Sequence, residues 1–246
     1  TRGFVVRAVS RAGIYVPGGT APLVSSVLMG VLPAKAAGVK EIYVCTPAKN
    51  GKVDPSVIVA AHECGVTKLF KAGGAQAIAA FAYGTESIPK VDVIAGPGNI
   101  YVTLAKKEVY GEVGIDMLAG PSEILIIADG KQKPQYVAAD VLSQAEHDKL
   151  ARAILLTDAE EFAKIVAKEV DRQLELLPRK EIAAYSVANA GGIILVKDLE
   201  EACALANEIA PEHLEIAAEN CEELLPKIEH AGAVFLGSYT PEPVGD

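Results

Sequence analysis

The fold of this chain is most clearly indicated by residues 153–178, AILLTDAEEFAKIVAKEVDRQLELLP. Residues 153–156 are uniformly apolar and are expected to form a short buried strand. Thr157 and Glu160 have the spacing of a capping box, which predicts that a helix begins directly after the strand. Its apolar residues lie on one helical face until Pro178 ends the pattern: Phe162, Ile165, Val166, Val170 and Leu174. A strand followed at once by an amphipathic helix is the repeating unit of parallel α/β folds.

The same alternation extends along the whole chain. Helix signals separate the strands, including Asp54-Pro55 before one helix, Gly73-Gly74 before another, and an Asp198–Glu201 capping box. Pro33 is expected to bend or restart the first helix. The other predicted strands are 13–16, 41–45, 68–70, 91–95, 123–128, 193–196, 214–217 and 233–236. This pattern predicts an α/β protein of two Rossmann-like lobes, 1–120 and 121–246, each a parallel sheet flanked by helices.

Composition narrows the classes of function. The chain has 246 residues, of which 50% are hydrophobic but only 5% aromatic, and its formal net charge is −9. Because basic residues are few and scattered, nucleic acid and membrane surfaces are not expected partners. No apolar run is long enough to span a bilayer and no signal peptide is recognisable, so a cytoplasmic protein is expected. The chain begins at Thr1 rather than Met, which suggests a fragment.

Four segments rich in glycine and proline follow predicted strands of the first half. Ligands of parallel α/β sheets collect at the carboxyl ends of strands, where glycines allow close approach and helix N-termini offer free amides. Each segment could therefore cradle a phosphate, or could simply turn the chain. None is a complete GxGxxG fingerprint. The segments are 15–19 (YVPGG), 71–76 (KAGGAQ), 95–99 (AGPGN) and 118–122 (LAGPS).

A possible metal site combines Gln144, His147 and Asp246. Gln144 and His147 are three residues apart, which on a helix places both side chains on one face. An imidazole nitrogen with amide and carboxylate oxygens suits a borderline metal such as zinc, although glutamine is an unusual ligand. The alternative is an ordinary surface histidine at a helix end. Glu146 or Asp148 could orient His147.

Glu212 and His213 interrupt a later apolar stretch. Neighbouring side chains of an extended segment point to opposite sides, so the two groups suit separate acid/base tasks. An ordinary strand edge is the alternative. The four cysteines, Cys45, Cys64, Cys203 and Cys221, show no CxxC spacing and are expected to be reduced thiols, with Cys45 and Cys203 in apolar surroundings.

Taken together, these segments resemble the histidinol dehydrogenase family. The matching strings are collinear and cover nearly the whole chain: 13–19 (GIYVPGG), 73–78 (GGAQAI), 95–99 (AGPGN), 119–123 (AGPSE), 144–147 (QAEH), 210–214 (APEHL) and 243–246 (PVGD). The resemblance implies a zinc enzyme that oxidises L-histidinol through L-histidinal to L-histidine with two NAD, in the last steps of histidine biosynthesis.

The resemblance also implies a role for each matching residue. Glu212 would activate the water that adds to the aldehyde, and His213 would be the general base. Ser122, Gln144, His147, His213 and Asp246 match substrate-binding positions, and three of these, Gln144, His147 and Asp246, match zinc ligands. Tyr15, Gln76 and Asn99 match NAD-contacting positions, which makes 1–120 the NAD-binding lobe.

Members of the family extend beyond both ends of this sequence. Their further segments carry a substrate-binding glutamate and another zinc-binding histidine, which is contributed across a homodimer interface. On this basis the chain is expected to lack part of the site and to be inactive on its own. Two rival interpretations remain: a non-catalytic fragment that binds NAD or an amine, and a thiol-dependent enzyme similar to aldehyde dehydrogenases.

Overall fold

The computed structural model describes residues 2–18 and 23–245. It divides into two compact units, Thr1–Gly120 and Pro121–Asp246. Each unit contains a five-stranded sheet in which every pairing is parallel. The predicted fold class, α/β with two parallel sheets flanked by helices, is confirmed. No helix in the described part of the chain is long and apolar enough to cross a membrane.

In the first unit the strands follow the order β3-β2-β1-β4-β5. The strands are β1 (Arg11–Tyr15), β2 (Glu41–Cys45), β3 (Lys68–Phe70), β4 (Val93–Ala95) and β5 (Gly114–Ile115). The helices are α1 (Val24–Ala36), α2 (Pro55–Glu63), α3 (Gly74–Tyr83) and α4 (Ile100–Val109). The two-residue β5 was not predicted, because it is too short to leave a periodic signal.

Both faces of this sheet are buried. Alternate residues of β1 contribute to two separate cores, Ile14 to the one formed with α1 and α2, and Tyr15 to the one formed with α3. Gly13 lies on the same face as Tyr15, where an added Cβ would come within 2.8 Å of the Phe81 ring. Burial on both faces explains why the strands are continuously apolar rather than alternating.

In the second unit the strand order is β10-β9-β6-β7-β8. The strands are β6 (Glu123–Ala128), β7 (Arg152–Thr157), β8 (Gly192–Leu195), β9 (His213–Ala217) and β10 (Ala233–Leu236). The helices are α5 (Pro134–Ala145), α6 (Glu160–Leu174), α7 (Lys180–Ala190), α8 (Leu199–Ile209) and α9 (Cys221–Leu224), with 3₁₀ helices at Leu225–Lys227 and Glu242–Gly245. Helices α5 and α6 pack over one face of this sheet and α8 over the other.

The prediction that Thr157 caps a helix is wrong, and the prediction that Asp198 does so is confirmed. Thr157 does not cap α6, because it pairs with Leu195 as the last residue of β7, and its Oγ1 accepts from the Ala159 amide at 3.3 Å. Helix α1 runs through Pro33 without restarting. The Asp198 cap is present, since its carboxylate accepts from the Glu201 amide at 2.8 Å.

Candidate functional site

The candidate cofactor residues of the first unit follow the carboxyl ends of its strands. Tyr15 ends β1, and Gly73 and Gly74 follow β3. The Tyr15 ring is buried, with 3% of its surface exposed, and its hydroxyl accepts a hydrogen bond from the Gly74 amide at 3.0 Å. Tyr15 therefore joins the end of β1 to the start of α3 and sets the position of that helix terminus.

Gln76 and Asn99 lie on the first turns of two neighbouring helices. Gln76 is exposed near the start of α3, which has Gly73 as its N-cap and no side-chain cap. Asn99 caps α4, where its Oδ1 accepts from the amides of Tyr101 and Val102. Amides at helix termini can bind phosphate without basic side chains, and at the start of α3 the N-cap residue has no side chain that competes for them.

A buried lysine supports the glycine loop before α4. Lys106, 2% exposed, donates to the Gly96 carbonyl at 3.1 Å and forms an ion pair with Asp116. The Asp116 carboxylate in turn accepts from the Gly96 amide at 2.8 Å. Gly96 has φ of +119°, and an added Cβ would lie 2.1 Å from the Tyr15 carbonyl oxygen. Lys106 was not predicted as a support from the sequence, although a lysine on the apolar face of a helix was a signal.

The candidate residues of the second unit lie at the opposite edge of their sheet. Ser122 precedes β6, and Glu212 precedes His213, the first residue of β9. Gln144 lies in the last turn of α5. These residues are therefore at the amino ends of the strands, and not at the carboxyl ends where ligands of parallel α/β sheets are expected. Ser122 is half-buried, and its carbonyl accepts from the Arg152 amide at 3.1 Å.

Glu212 and His213 have different surroundings. Glu212 is exposed, and its carboxylate accepts from the Glu123 amide at 3.3 Å. The His213 ring is mostly buried, and its Nδ1 lies 3.2 Å from Gln144 Oε1 and 3.4 Å from Glu242 Oε1. The two side chains thus have separate partners, as the extended backbone led us to expect.

Two buried acidic residues, Glu215 and Asp140, lie near His213. Glu215 is two residues along β9 and Asp140 is one turn before Gln144 on α5, so the helix and strand periodicities bring the two carboxyl groups together. Burial raises the pKa of both groups, and the proximity of the Asp140 carboxylate raises that of Glu215 further, so Glu215 is the one of the two that keeps its proton. Glu242, 4% exposed, adds further negative charge. Neither Asp140, Glu215 nor Glu242 was singled out from the sequence.

His147 differs from its prediction. Helix α5 ends at Ala145, so His147 lies beyond it, exposed, with its amide bonded to the Gln144 carbonyl at 3.1 Å. The prediction that Gln144 and His147 share a helical face is therefore wrong, because only Gln144 is in the helix. Asp148 uses its carboxylate to accept from the Leu150 amide at 2.9 Å.

The structure describes two of the three predicted zinc ligands, Gln144 and His147. Asp246 lies outside the described residues. Within those residues, no group of three or more His, Cys, Asp or Glu side chains could hold a metal ion. The Gln144 oxygen and the His147 imidazole are donors that zinc accepts, and they lie at the same end of α5. The donor types fit a metal, and the complete ligand set stays a prediction.

The cysteines are poorly suited to nucleophilic catalysis. Cys45, Cys64 and Cys203 are buried, and Cys221 is half-buried. Burial raises the pKa of the Cys45 thiol to about 12 and also raises that of Cys203. A buried neutral thiol is a weak nucleophile, so these environments do not favour a thiol-dependent mechanism.

Comparison with known proteins gives a consistent result. The family model for histidinol dehydrogenase matches residues 1–246. A histidinol dehydrogenase of Bacillus cereus is 58% identical over 245 residues, which are 100% of this chain and 57% of the relative. This chain thus spans little more than half the length of that relative.

Two solved structures complete the comparison. The histidinol dehydrogenase of Elizabethkingia anophelis matches with a TM-score of 0.93 and 47% identity, over 97% of this chain and 55% of that one. A propionaldehyde dehydrogenase of Rhodopseudomonas palustris matches with a TM-score of 0.61 and 10% identity, over 97% of this chain and 66% of that one, which is a likeness of fold alone.

Proposed function

The chain belongs to the histidinol dehydrogenase family, and we propose that it forms the catalytic core of an enzyme that oxidises L-histidinol through L-histidinal to L-histidine with NAD. The observation that carries the proposal is the pair at the start of β9. Glu212 is exposed and His213 is held by polar partners at Nδ1, so one carboxylate and one imidazole stand side by side in different surroundings. Two oxidations separated by a hydration need these two kinds of base.

His213 takes the hydroxyl proton of the alcohol, because its ring is held in a fixed orientation by Gln144 and Glu242. Glu212 takes a proton from the water that adds to the aldehyde. Its exposure supports this role, since an attacking water must reach the carboxylate. Ser122, half-buried at the same edge of the sheet, is proposed to contact the substrate.

Gln144, His147 and Asp246 are proposed to hold a zinc ion, which when bound orients the substrate through its amino and imidazole groups. The same three residues and His213 then form the substrate site with Ser122. The NAD proposal rests on the start of α3, whose N-cap is a glycine, and on the glycine loop before α4.

Tyr15, Gln76 and Asn99 are the proposed NAD contacts. NAD, when bound, supplies the hydride acceptor for both oxidations. Because Tyr15 is buried, we expect it to act mainly by placing the Gly74 amide, with which its hydroxyl is bonded. Gln76 and Asn99 are exposed and can touch the cofactor directly.

A homodimer in the cytoplasm, with no nucleic-acid or membrane partner, is proposed from the family and from the net charge of −9. Size-exclusion chromatography with light scattering measures the oligomeric state directly. A monomer at micromolar concentration would contradict the homodimer.

The division of labour at β9 provides the test. In the full-length protein with zinc, Glu212→Gln is expected to slow histidinal oxidation at least tenfold more than histidinol oxidation, measured separately as NADH formation. Glu208→Gln, an exposed change of the same kind on α8, is the matched control. Equal losses in the two half-reactions would refute the separate roles. Absence of NADH from the wild type with either substrate would refute the enzyme assignment.

A further inference from the structure

Three lysines lie together where the second and third strands of the first sheet end. Lys49 and Lys52 follow β2, and Lys71 is the first residue after β3. All three are exposed, and we refer to them as the lysine cluster. The lysine cluster is a local excess of positive charge on a chain whose formal net charge is −9. It lies at the edge where ligands of parallel α/β sheets collect.

A tight hairpin fixes two of these lysines opposite each other. The Lys49 amide donates to the Lys52 carbonyl at 2.9 Å, and the Lys52 amide donates to the Lys49 carbonyl at 3.0 Å. The two residues between them have positive φ, 52° at Asn50 and 73° at Gly51, as a type I′ turn requires. Residues that exchange both hydrogen bonds have Cβ atoms about 5 Å apart on one face of the hairpin.

The third lysine is joined to the tip of the same hairpin. The Nζ of Lys71 donates to the Gly51 carbonyl at 3.1 Å. The backbone on which the hairpin stands is tied to β3 as well, since the Thr46 amide donates to the Phe70 carbonyl at 3.1 Å. The three ammonium groups are therefore brought together by contacts between two strand ends, and not by chance on a mobile surface.

Within the described residues, no acidic side chain neutralises the lysine cluster. None of its ammonium groups has a carboxylate within 4.0 Å. The next acid along the chain, Asp54, caps α2 and accepts from the amide and the hydroxyl of Ser56. Like charges directly opposite each other on neighbouring strands are destabilising. A bound anion would remove this repulsion.

Pro47 connects the lysine cluster to the segments proposed to bind NAD. A Cβ added to Gly18 would lie 2.9 Å from the Pro47 carbonyl oxygen, and one added to Gly73 would lie 2.7 Å from the Pro47 Cβ. Gly73 is the N-cap of α3, the helix that carries Gln76. In dinucleotide-binding folds an acid beyond the first helix contacts the adenosine ribose, whereas a basic residue there accommodates a phosphate.

We propose that the lysine cluster is an anion subsite that binds the phosphates of the adenosine half of the dinucleotide. Lysine ammonium groups bind phosphate as point charges, and three of them around a rigid turn suit the two negative charges of a pyrophosphate. The affinity for phosphate rests on the lysine cluster alone, and its assignment to NAD rests on the proposed function. Because the hydride is transferred to the nicotinamide ring, the subsite contributes to cofactor binding and not to the chemical step.

Isothermal titration calorimetry of the full-length protein with ADP-ribose at low salt tests the subsite. The triple variant Lys49→Met, Lys52→Met, Lys71→Met is expected to bind ADP-ribose at least about tenfold more weakly than the wild type. The corresponding triple Arg variant keeps the charges and should bind like the wild type. Lys40→Met, at the other end of β2, is the matched control and should change nothing. Equal affinity of the wild type and the triple Met variant, or equal losses in the Met and Arg variants, would overturn the proposal.

Salt and kinetics separate the subsite from the proposed function. Added sodium chloride should weaken ADP-ribose binding to the wild type much more than to the triple Met variant, because salt screens exposed charges. In NADH formation from histidinol, the triple Met variant should raise KM for NAD about tenfold, and a loss carried by kcat would contradict the subsite. A wild type that binds ADP-ribose through the lysines but forms no NADH would refute the proposed function alone. A wild type that forms NADH but binds ADP-ribose no better than the triple Met variant would refute the subsite alone.

Discussion

The buried acid pair of the second unit makes a prediction about stability that is independent of catalysis. Burial, the Asp140 carboxylate and the nearby Glu242 raise the pKa of Glu215 to about 9, far above the 4.5 of an exposed glutamate. Between these two pH values the folded chain holds a proton that the unfolded chain has released. Stability is therefore highest at low pH with respect to this group, and it falls as the pH rises towards 9.

The size of the effect follows from the linkage relation. One extra proton in the folded state lowers the free energy of unfolding by about 1.4 kcal/mol for each pH unit. From pH 6.5 to 8.5, above the pKa of about 6 to which Asp140 is raised, Glu215 should thus remove about 3 kcal/mol. Glu215→Gln keeps a hydrogen-bond donor towards Asp140 but has no proton to lose. We expect the variant to gain about 3 kcal/mol relative to the wild type across this window.

Urea unfolding followed by far-ultraviolet circular dichroism is the appropriate assay, because the chain has no tryptophan. The free energy of unfolding of the chain would be measured at half-unit steps of pH. Glu229→Gln, which removes one exposed carboxylate, is the control for the change in net charge and should stay parallel to the wild type. If wild type and Glu215→Gln also run parallel, Glu215 holds no extra proton and the reasoning fails.

Three further predictions concern the first unit and the metal. Gly96→Ala combines a φ of +119° with a Cβ contact of 2.1 Å, and should lower the free energy of unfolding by more than about 2 kcal/mol in urea titrations; Gly120→Ala, with open space around its Cβ, should not. Lys106→Met leaves Asp116, whose side chain is 32% exposed, without its cation, and should cost about 1–3 kcal/mol in the same assay and weaken NAD binding by calorimetry; unchanged stability would refute the support of the glycine loop. His147→Ala should lower the zinc content of the full-length protein at least twofold by elemental analysis, and unchanged content would remove it from the ligand set.

The fold was predictable because burial on both faces leaves a strong signal. Strands such as β2 and β6 are uninterrupted apolar runs, and their sequence limits agree with the structure. The predicted limits of strands and helices are wrong where pairing between distant strands determines them. Thr157 has the spacing from Glu160 that is typical of a helix cap. In the structure it pairs with Leu195 instead, which extends β7 by one residue.

The candidate site was only partly predictable, for a different reason. Glu212 and His213 could be picked out because polar residues interrupt an apolar stretch. Glu215 gave the same signal within the strand, but its partner Asp140 lies on α5 and no local pattern pairs them. The contact of Glu242 with His213 joins segments 29 residues apart and depends on the path of the chain after β10. Such contacts follow from packing, which a single sequence does not specify.

The candidate residues of the second unit lie at the amino ends of its strands. The carboxyl ends of the same strands are therefore a place for protein engineering. There, Asp129 ties the turns after β6 and β9 together by accepting from the amides of Lys131 and Glu219, and the side chains of those two residues are exposed. A fluorescent label or a small inserted domain at Lys131 would sit at the end of β6 remote from His213. The second sheet therefore offers an attachment point for reporters that leaves the residues proposed for chemistry undisturbed.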